Sequence, residues 1–134
     1  MLKGIQPSEL AMWWPTFWPM LERAEEFNAG VPIQETETYR AILAGEVQAW
    51  MCFDDKPRLA FTTTMYDTPR GKTLEIVAIG GEEVKDWLWV LDRLAEWGAK
   101  YDCKRLLASG RKGWSRVLKN AGFDTVAYVN ERLI

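Results

Sequence analysis

The chain has no histidine, only two cysteines and no run of a single charge sign, and each shortage removes a class of function. Without histidine, acid–base chemistry falls to a carboxylate, a tyrosine or a water held by backbone. Cys52 and Cys103 are too few for a disulfide framework and have no CxxC partner, so both read as buried or idle thiols, and no metal-ligand set forms around them. Lys and Arg total 17 against 19 Asp and Glu, and this net charge of −2 is spread along the chain, which excludes a basic surface for nucleic acid. No apolar run approaches the ~18 residues of a membrane span, and Met1 to Leu10 lacks the basic start and apolar core of a signal peptide. A soluble, intracellular protein is expected, with residues 1–134 forming one domain large enough to bury a core without staples.

What the chain has in excess is tryptophan, eight in all. Trp13, Trp14 and Trp18 form one group and Trp87, Trp89 and Trp97 another. The second group sits on the clearest helix of the chain, Val84 to Tyr101. Its apolar residues Val84, Trp87, Leu88, Leu91, Leu94, Ala95 and Gly98 recur at the three-and-four spacing of a helix burying one side. Trp89 and Trp97 fall off that stripe and are expected to reach a second surface: the sheet edge, the N-terminal segment or a partner.

Around this helix the other elements fall in order. Leu2 to Gln6 reads as a strand, and Ser8 as the N-cap of a helix that Pro15 divides, with a longer helix from Pro15 or Thr16 through Phe27. Glu35 to Ala44 is a second helix closed by Gly45. Val47 to Phe53, Arg58 to Tyr66 and Thr73 to Ile79 are strands of an antiparallel meander, joined by the turns Asp54 to Pro57 and Asp67 to Gly71. Lys104 to Ser109 is a strand, parallel to Thr73–Ile79 across the intervening helix. Trp114 to Ala121 is a helix stopped by Gly122, and Thr125 to Leu133 a final strand offering Val126, Tyr128 and Val129 for packing.

The order β-α-α-β-β-β-α-β-α-β, an α/β (α+β) chain with a mixed sheet, resembles over its whole length the GNAT superfamily of acyl-CoA-dependent N-acyltransferases. The resemblance is densest at Leu94 to Leu106 and at Val117 to Phe123, which look like the end of the superfamily's cofactor-proximal helix with its next strand, and the Gly-Phe-terminated helix after it. More narrowly, Phe17-Trp18-Pro19, Ala41 to Gly45, Ile79-Gly80-Gly81, Trp87-Leu88 and Gly110 to Trp114 resemble small GNAT-like proteins encoded among bacteriophage virion genes. That narrower resemblance implies a location in the virion or the host cytoplasm, and a phage or host protein, or a second copy of the chain, as partner.

The superfamily binds the cofactor pyrophosphate on an Arg/Gln-x-x-Gly-x-Gly/Ala loop, where glycine lets phosphate approach the backbone and the helix start adds a favourable dipole. Counted back from Trp97, that motif falls on Glu82, Lys85 and Trp87, all departures. The carboxylates of Glu82, Glu83 and Asp86 then stand where phosphates would, and Lys85 offsets one of them. A second alignment makes Gly80-Gly81 the loop, so that Gly80, Gly81, Glu82, Val84 and Lys85 would hold acetyl-CoA, the acidic pair simply stabilising the helix start. The plainer meaning of two glycines there is a turn needing positive φ.

The tyrosine that often protonates the leaving thiolate corresponds to Leu118. Glu75 is the candidate general base, on the strand that often supplies one, although an acidic residue on a half-exposed strand is more often merely solvated. Tyr66 and Tyr128 are stand-ins for the acid. In Gly110 to Trp114, Arg111 and the backbone suit an anion, while the competing reading has Trp114 docking under the sheet. Two functions follow. The residues favour a degenerate GNAT-fold module without cofactor, acting through Trp89, Trp97, Arg111 and Trp114. The alternative is an acyl-CoA-dependent N-acyltransferase using acetyl-CoA, with an amine approaching from the Glu75 side.

Overall fold

A computed structural model describes residues 1–23, 33–81, 84–109, 112–128, 130 and 132–134. Strands β1 (Leu2–Ile5), β2 (Gln48–Phe53), β3 (Pro57–Thr68), β4 (Gly71–Gly81) and β5 (Arg105–Ala108) form one mixed sheet in that order. The first four strands pair antiparallel, and β4 and β5 pair parallel across the crossover helix α3 (Trp89–Lys100). The meander and the parallel return are those expected from the strand and turn signals. No described helix is long and apolar enough to cross a membrane.

Alternation along the strands divides the apolar residues between two faces. Ala49, Met51, Ala60 and Ala78 face α1 (Leu10–Glu22) and α2 (Glu35–Leu43), where Leu10, Phe17, Trp18, Leu21 and Ile42 complete one core. Trp50, Cys52, Leu59, Phe61, Leu74 and Ile76 face α3, meeting Val90, Leu91 and Leu94. Leu118, Ala121 and Phe123, from α4 (Lys112–Lys119) and the turn after it, pack against this second core.

Helix α1 corrects the expected break at Pro15. It runs through both Pro15 and Pro19, after a 3-10 turn Pro7–Glu9 capped by Gln6 rather than by Ser8. The prolines stand four residues apart and both are exposed, while Phe17, Trp18 and Leu21 are buried. Each ring therefore lies on the solvent side, where water can take up the carbonyl that the missing N–H leaves free. The remainder of the expected helix, through Phe27, lies outside the described residues.

The burial stripe of α3 also differs from the one drawn on the sequence. Val90 is buried and Ala95 exposed, which rotates the buried side toward Trp97. Trp97 is half-buried and meets Trp50 of β2 edge to face at 4.8 Å, so its second surface is the sheet of its own chain. Residues Val84–Trp87 form a separate 3-10 turn before α3 rather than its first α-helical turn.

The final strand is absent among the described residues. Residues 123–128 have no regular structure, and Val126 and Tyr128 are 62% and 84% exposed. The alternation that suggests a strand there has no ladder partner.

Candidate functional site

The geometry of interest lies where β4 parts from β5. Parallel pairing runs from Thr73 opposite Arg105 to Ile76 opposite Ala108, and there β5 ends. On the other side of β4 the register with β3 shifts at the same level: Thr63 opposes Ile76 and Thr62 opposes Ala78, so Val77 is one residue too many. This β-bulge bends the strand and increases its twist. Beyond it, Val77 to Gly81 continue along β3 with no β5 partner. A strand edge there leaves backbone N–H and C=O groups without ladder partners.

Glu75 sits one residue before that parting, opposite Thr64 on β3 and Leu107 on β5. Leu74 and Ile76 belong to the α3-side core, so alternation turns Glu75 and Thr73 to the opposite face of the sheet. The Tyr66 hydroxyl, one cross-strand diagonal away, donates to Glu75 Oε1 at 3.2 Å. Burial first, and then the Glu75 charge and hydrogen bond, hold Tyr66 above the usual tyrosine pKa, against the opposing pull of Arg105. On β5, the Arg105 Nε–H donates to Thr73 Oγ1 at 2.9 Å, and Thr73 is fully buried. Tyr66, Thr73, Glu75 and Arg105 thus share one face through the registers Tyr66–Thr73 and Thr73–Arg105.

The cofactor candidates are placed less suggestively. Gly80 and Gly81 are the last residues of β4, opposite Ala60 and Leu59. Gly81 has φ of +140°, and a Cβ there would lie 2.3 Å from the Arg58 carbonyl oxygen and 2.9 Å from the Leu59 Cα. Glycine is therefore required at 81 by the close approach of β3. Val84 and Lys85 open the 3-10 turn, with Asp86 in the same turn, and Glu82 lies outside the described residues.

Of the interaction candidates, Trp89 is 41% exposed and touches Trp87 at a ring separation of 5.8 Å. Trp97 is occupied by Trp50 and Tyr101. Arg111 lies outside the described residues, and Trp114 is on α4. The N-terminal tryptophans serve packing: Trp14 stacks on Trp18, meets Tyr39 edge to face and donates from Nε1 to Glu35 at 3.0 Å, tying α1 to α2. Leu118 is half-buried in the α3-side core, and Tyr128 is far out in solvent. Cys52 is fully buried, and that burial pushes its thiol up to about 11, which makes it a poor nucleophile at neutral pH.

Sequence reasoning singled out Glu75 and named Tyr66 only as a substitute acid; it missed Thr73 and Arg105. The signal was present, because the turn Asp67 to Gly71 sets Tyr66 opposite Thr73. Arg105, however, joins them only once the parallel register is known.

No family model matches the chain, and no curated protein matches it by sequence. Solved structures do match. One is a predicted acetyltransferase with acetyl-CoA from Clostridium acetobutylicum, 14% identical, covering 98% of this chain and 95% of that one at a TM-score of 0.69. A second is an aminoglycoside acetyltransferase from an uncultured soil metagenomic sample in complex with sisomicin, 9% identical, covering 100% and 96% at 0.68. A third is glucosamine-6-phosphate N-acetyltransferase from Arabidopsis thaliana, 8% identical, covering 99% and 97% at 0.67. Similarity at these identities speaks for architecture, and the function has to be argued from the site. With its meander, its bulged fourth strand and its parallel fifth, the chain has the fold of the GNAT acetyltransferases.

Proposed function

We propose that the chain is an acyl-CoA-dependent N-acyltransferase whose reacting face is the Tyr66–Glu75 side of the β4–β5 parting. The observation that carries this reading is a coincidence of three features at one level of the sheet. The bulge at Val77, the end of β5 pairing and a carboxylate held by a tyrosine all fall within Glu75 to Val77.

The residues present fit an acyl-CoA in one respect that the structure itself supplies. The backbone of Val77 to Gly81, without a β5 partner, suits a ligand arm that carries amides, since such groups need hydrogen-bond partners. The turn opened by Val84 and Lys85 would take the pyrophosphate. When bound, the group supplies an acyl thioester whose thiol, with a pKa of about 8.5 for an ordinary thiol, departs without needing a strong acid. Glu75 accepts the proton that the attacking nitrogen sheds as its bond to carbon forms. The Tyr66 hydroxyl, kept protonated by its raised pKa, fixes the orientation of that carboxylate. General-base assistance of this kind contributes roughly 10²–10⁴ in rate.

The test is calorimetric titration with acetyl-CoA and with free CoA, carried to millimolar ligand, followed by thiol release with a panel of amines. Binding is expected, and Glu75→Gln should lower kcat by about 10²-fold or more while leaving acetyl-CoA affinity intact. Absence of both heat and thermal stabilisation would overturn the reading.

A second reading is favoured by two observations. Gly81 is demanded by β3 without any ligand, and the position of the superfamily's tyrosine is a core leucine, Leu118. On that reading the chain is a non-catalytic module of the kind the phage-encoded proteins suggest, in the virion or host cytoplasm, meeting its partner through the exposed Trp89. The same titration separates the two.

A further inference from the structure

Arg105 and Glu75 are opposite charges on one face of the sheet, yet neither belongs to an ion pair among the described residues. Each is held by a neutral hydroxyl instead. The Arg105 Nε–H is spent on Thr73 Oγ1, and one Glu75 oxygen accepts from Tyr66. The two hydroxyl anchors, Thr73 on β4 and Tyr66 on β3, stand directly opposite each other, one inter-strand step of about 4.8 Å apart, and Glu75 follows Thr73 by two positions, on the order of 7 Å along β4.

Thr73 is fully buried, so the guanidinium is anchored through its Nε on a fixed hydroxyl of β4. Among the described residues its two terminal nitrogens have no hydrogen-bond partner and keep their donors. Those donors form a planar fork suited to a carboxylate or a phosphate. The registers Tyr66–Thr73 and Thr73–Arg105 put Arg105 on the same face as the Tyr66–Glu75 pair, in keeping with its pull on the Tyr66 hydroxyl.

From this arrangement we infer that the acyl acceptor is an amine carrying its own anionic group, with Glu75 receiving the amine and the Arg105 fork receiving the anion. The inference rests on the acyl-transfer reading for its chemistry but on the Thr73–Arg105 and Tyr66–Glu75 pairs for its geometry. A dipolar ligand of amino-acid dimensions bridges two such charges and completes the hydrogen bonding of both. A polycationic amine would set positive charge against Arg105 and be disfavoured.

The experiment uses matched amines with acetyl-CoA: an amino acid against its decarboxylated amine, and an amino-sugar phosphate against the free amino sugar. The anionic member of a pair should be preferred, and the pair that shows it identifies carboxylate or phosphate as the natural anion. Arg105→Gln should reduce the ratio of kcat/KM for the anionic over the neutral amine about tenfold or more, carried mainly by KM, with Arg105→Lys recovering part of it. Thr73→Val should move the ratio the same way by freeing the guanidinium.

Binding of the same anionic amines is followed in parallel by NMR titration of wild type and Arg105→Gln. If acyl transfer is absent but binding persists and depends on Arg105, the acyltransferase reading fails and the anion site stands. Equal use of neutral and anionic amines, or an Arg105→Gln variant that loses thermal stability without any change in the ratio, would overturn the inference. So would a protein that neither prefers nor binds the anionic member of any pair.

Discussion

At Gly81 there is no room for a side chain, and at Gly45 there is no lack of it; the contrast separates two uses of glycine. Gly45 has φ of +77° with nothing within 4 Å of a built Cβ, so alanine there meets only the left-handed backbone penalty, about 1 kcal/mol. Gly81 adds to its positive φ a Cβ contact of 2.3 Å with the Arg58 carbonyl oxygen. Backbone cannot swing aside as a side-chain end does. Gly81→Ala is expected to destabilise by about 2 kcal/mol or more, clearly beyond Gly45→Ala, as read from denaturant midpoints of the two variants. Equal losses would show that β3 relaxes away from the intruding methyl.

Helix termini behave as units, and three of them close in the same way. After α2, the Glu46 N–H donates to the Ala41 carbonyl and the Gly45 N–H to that of Ile42. After α4, Phe123 and Gly122 repeat the pattern on Leu118 and Lys119, and after α3, Cys103 and Asp102 repeat it on Gly98 and Ala99. This is the Schellman arrangement, with its left-handed residue at the first position past the cap. Two of the three helices place glycine there, and α3 places Asp102 at φ of 65°. Asp102→Gly is expected to stabilise the protein by about 0.5–1 kcal/mol, measured by chemical denaturation, because the strained conformation persists and its cost disappears. Gly45 and Gly122 were legible as stops because glycine advertises them. The end of α3 at Tyr101 was also placed by the sequence, but the left-handed turn at Asp102 was not, since an aspartate carries no such signal.

On the scale of the whole molecule, the two faces of the sheet are covered by named elements, while the described residues beyond Asp124 lie mostly in solvent. Val126, Tyr128, Leu133 and Ile134 are each more than half exposed. Removing Thr125 to Ile134 is therefore expected to change stability by no more than about 0.5 kcal/mol, checked by thermal unfolding of the shortened chain against the full one. A larger loss would mean that this segment supports the sheet after all.

Sequence alone determined the elements whose signal is local. The three-and-four spacing of α3, the meander turns, Gly45 and Gly122 all report on a few neighbouring residues, whose geometry needs no distant partner. It also nominated Glu75. What only the tertiary structure decided is whatever depends on register or on which side of an element meets water. Pro15 read as a break, yet α1 tolerates both it and Pro19 because its exposed side carries them. Trp97 read as reaching a second surface that the sequence left open between sheet, N-terminal segment and partner, and Trp50 of the sheet receives it. Thr125 to Leu133 read as a strand, yet a strand needs a ladder and the described residues there make none. The grouping of Tyr66, Thr73, Glu75 and Arg105 belongs with these: three strands must be aligned before the four residues share a face, and while the turn Asp67 to Gly71 aligns β3 with β4, the parallel register that adds Arg105 is set by packing across the sheet rather than by any one stretch of chain.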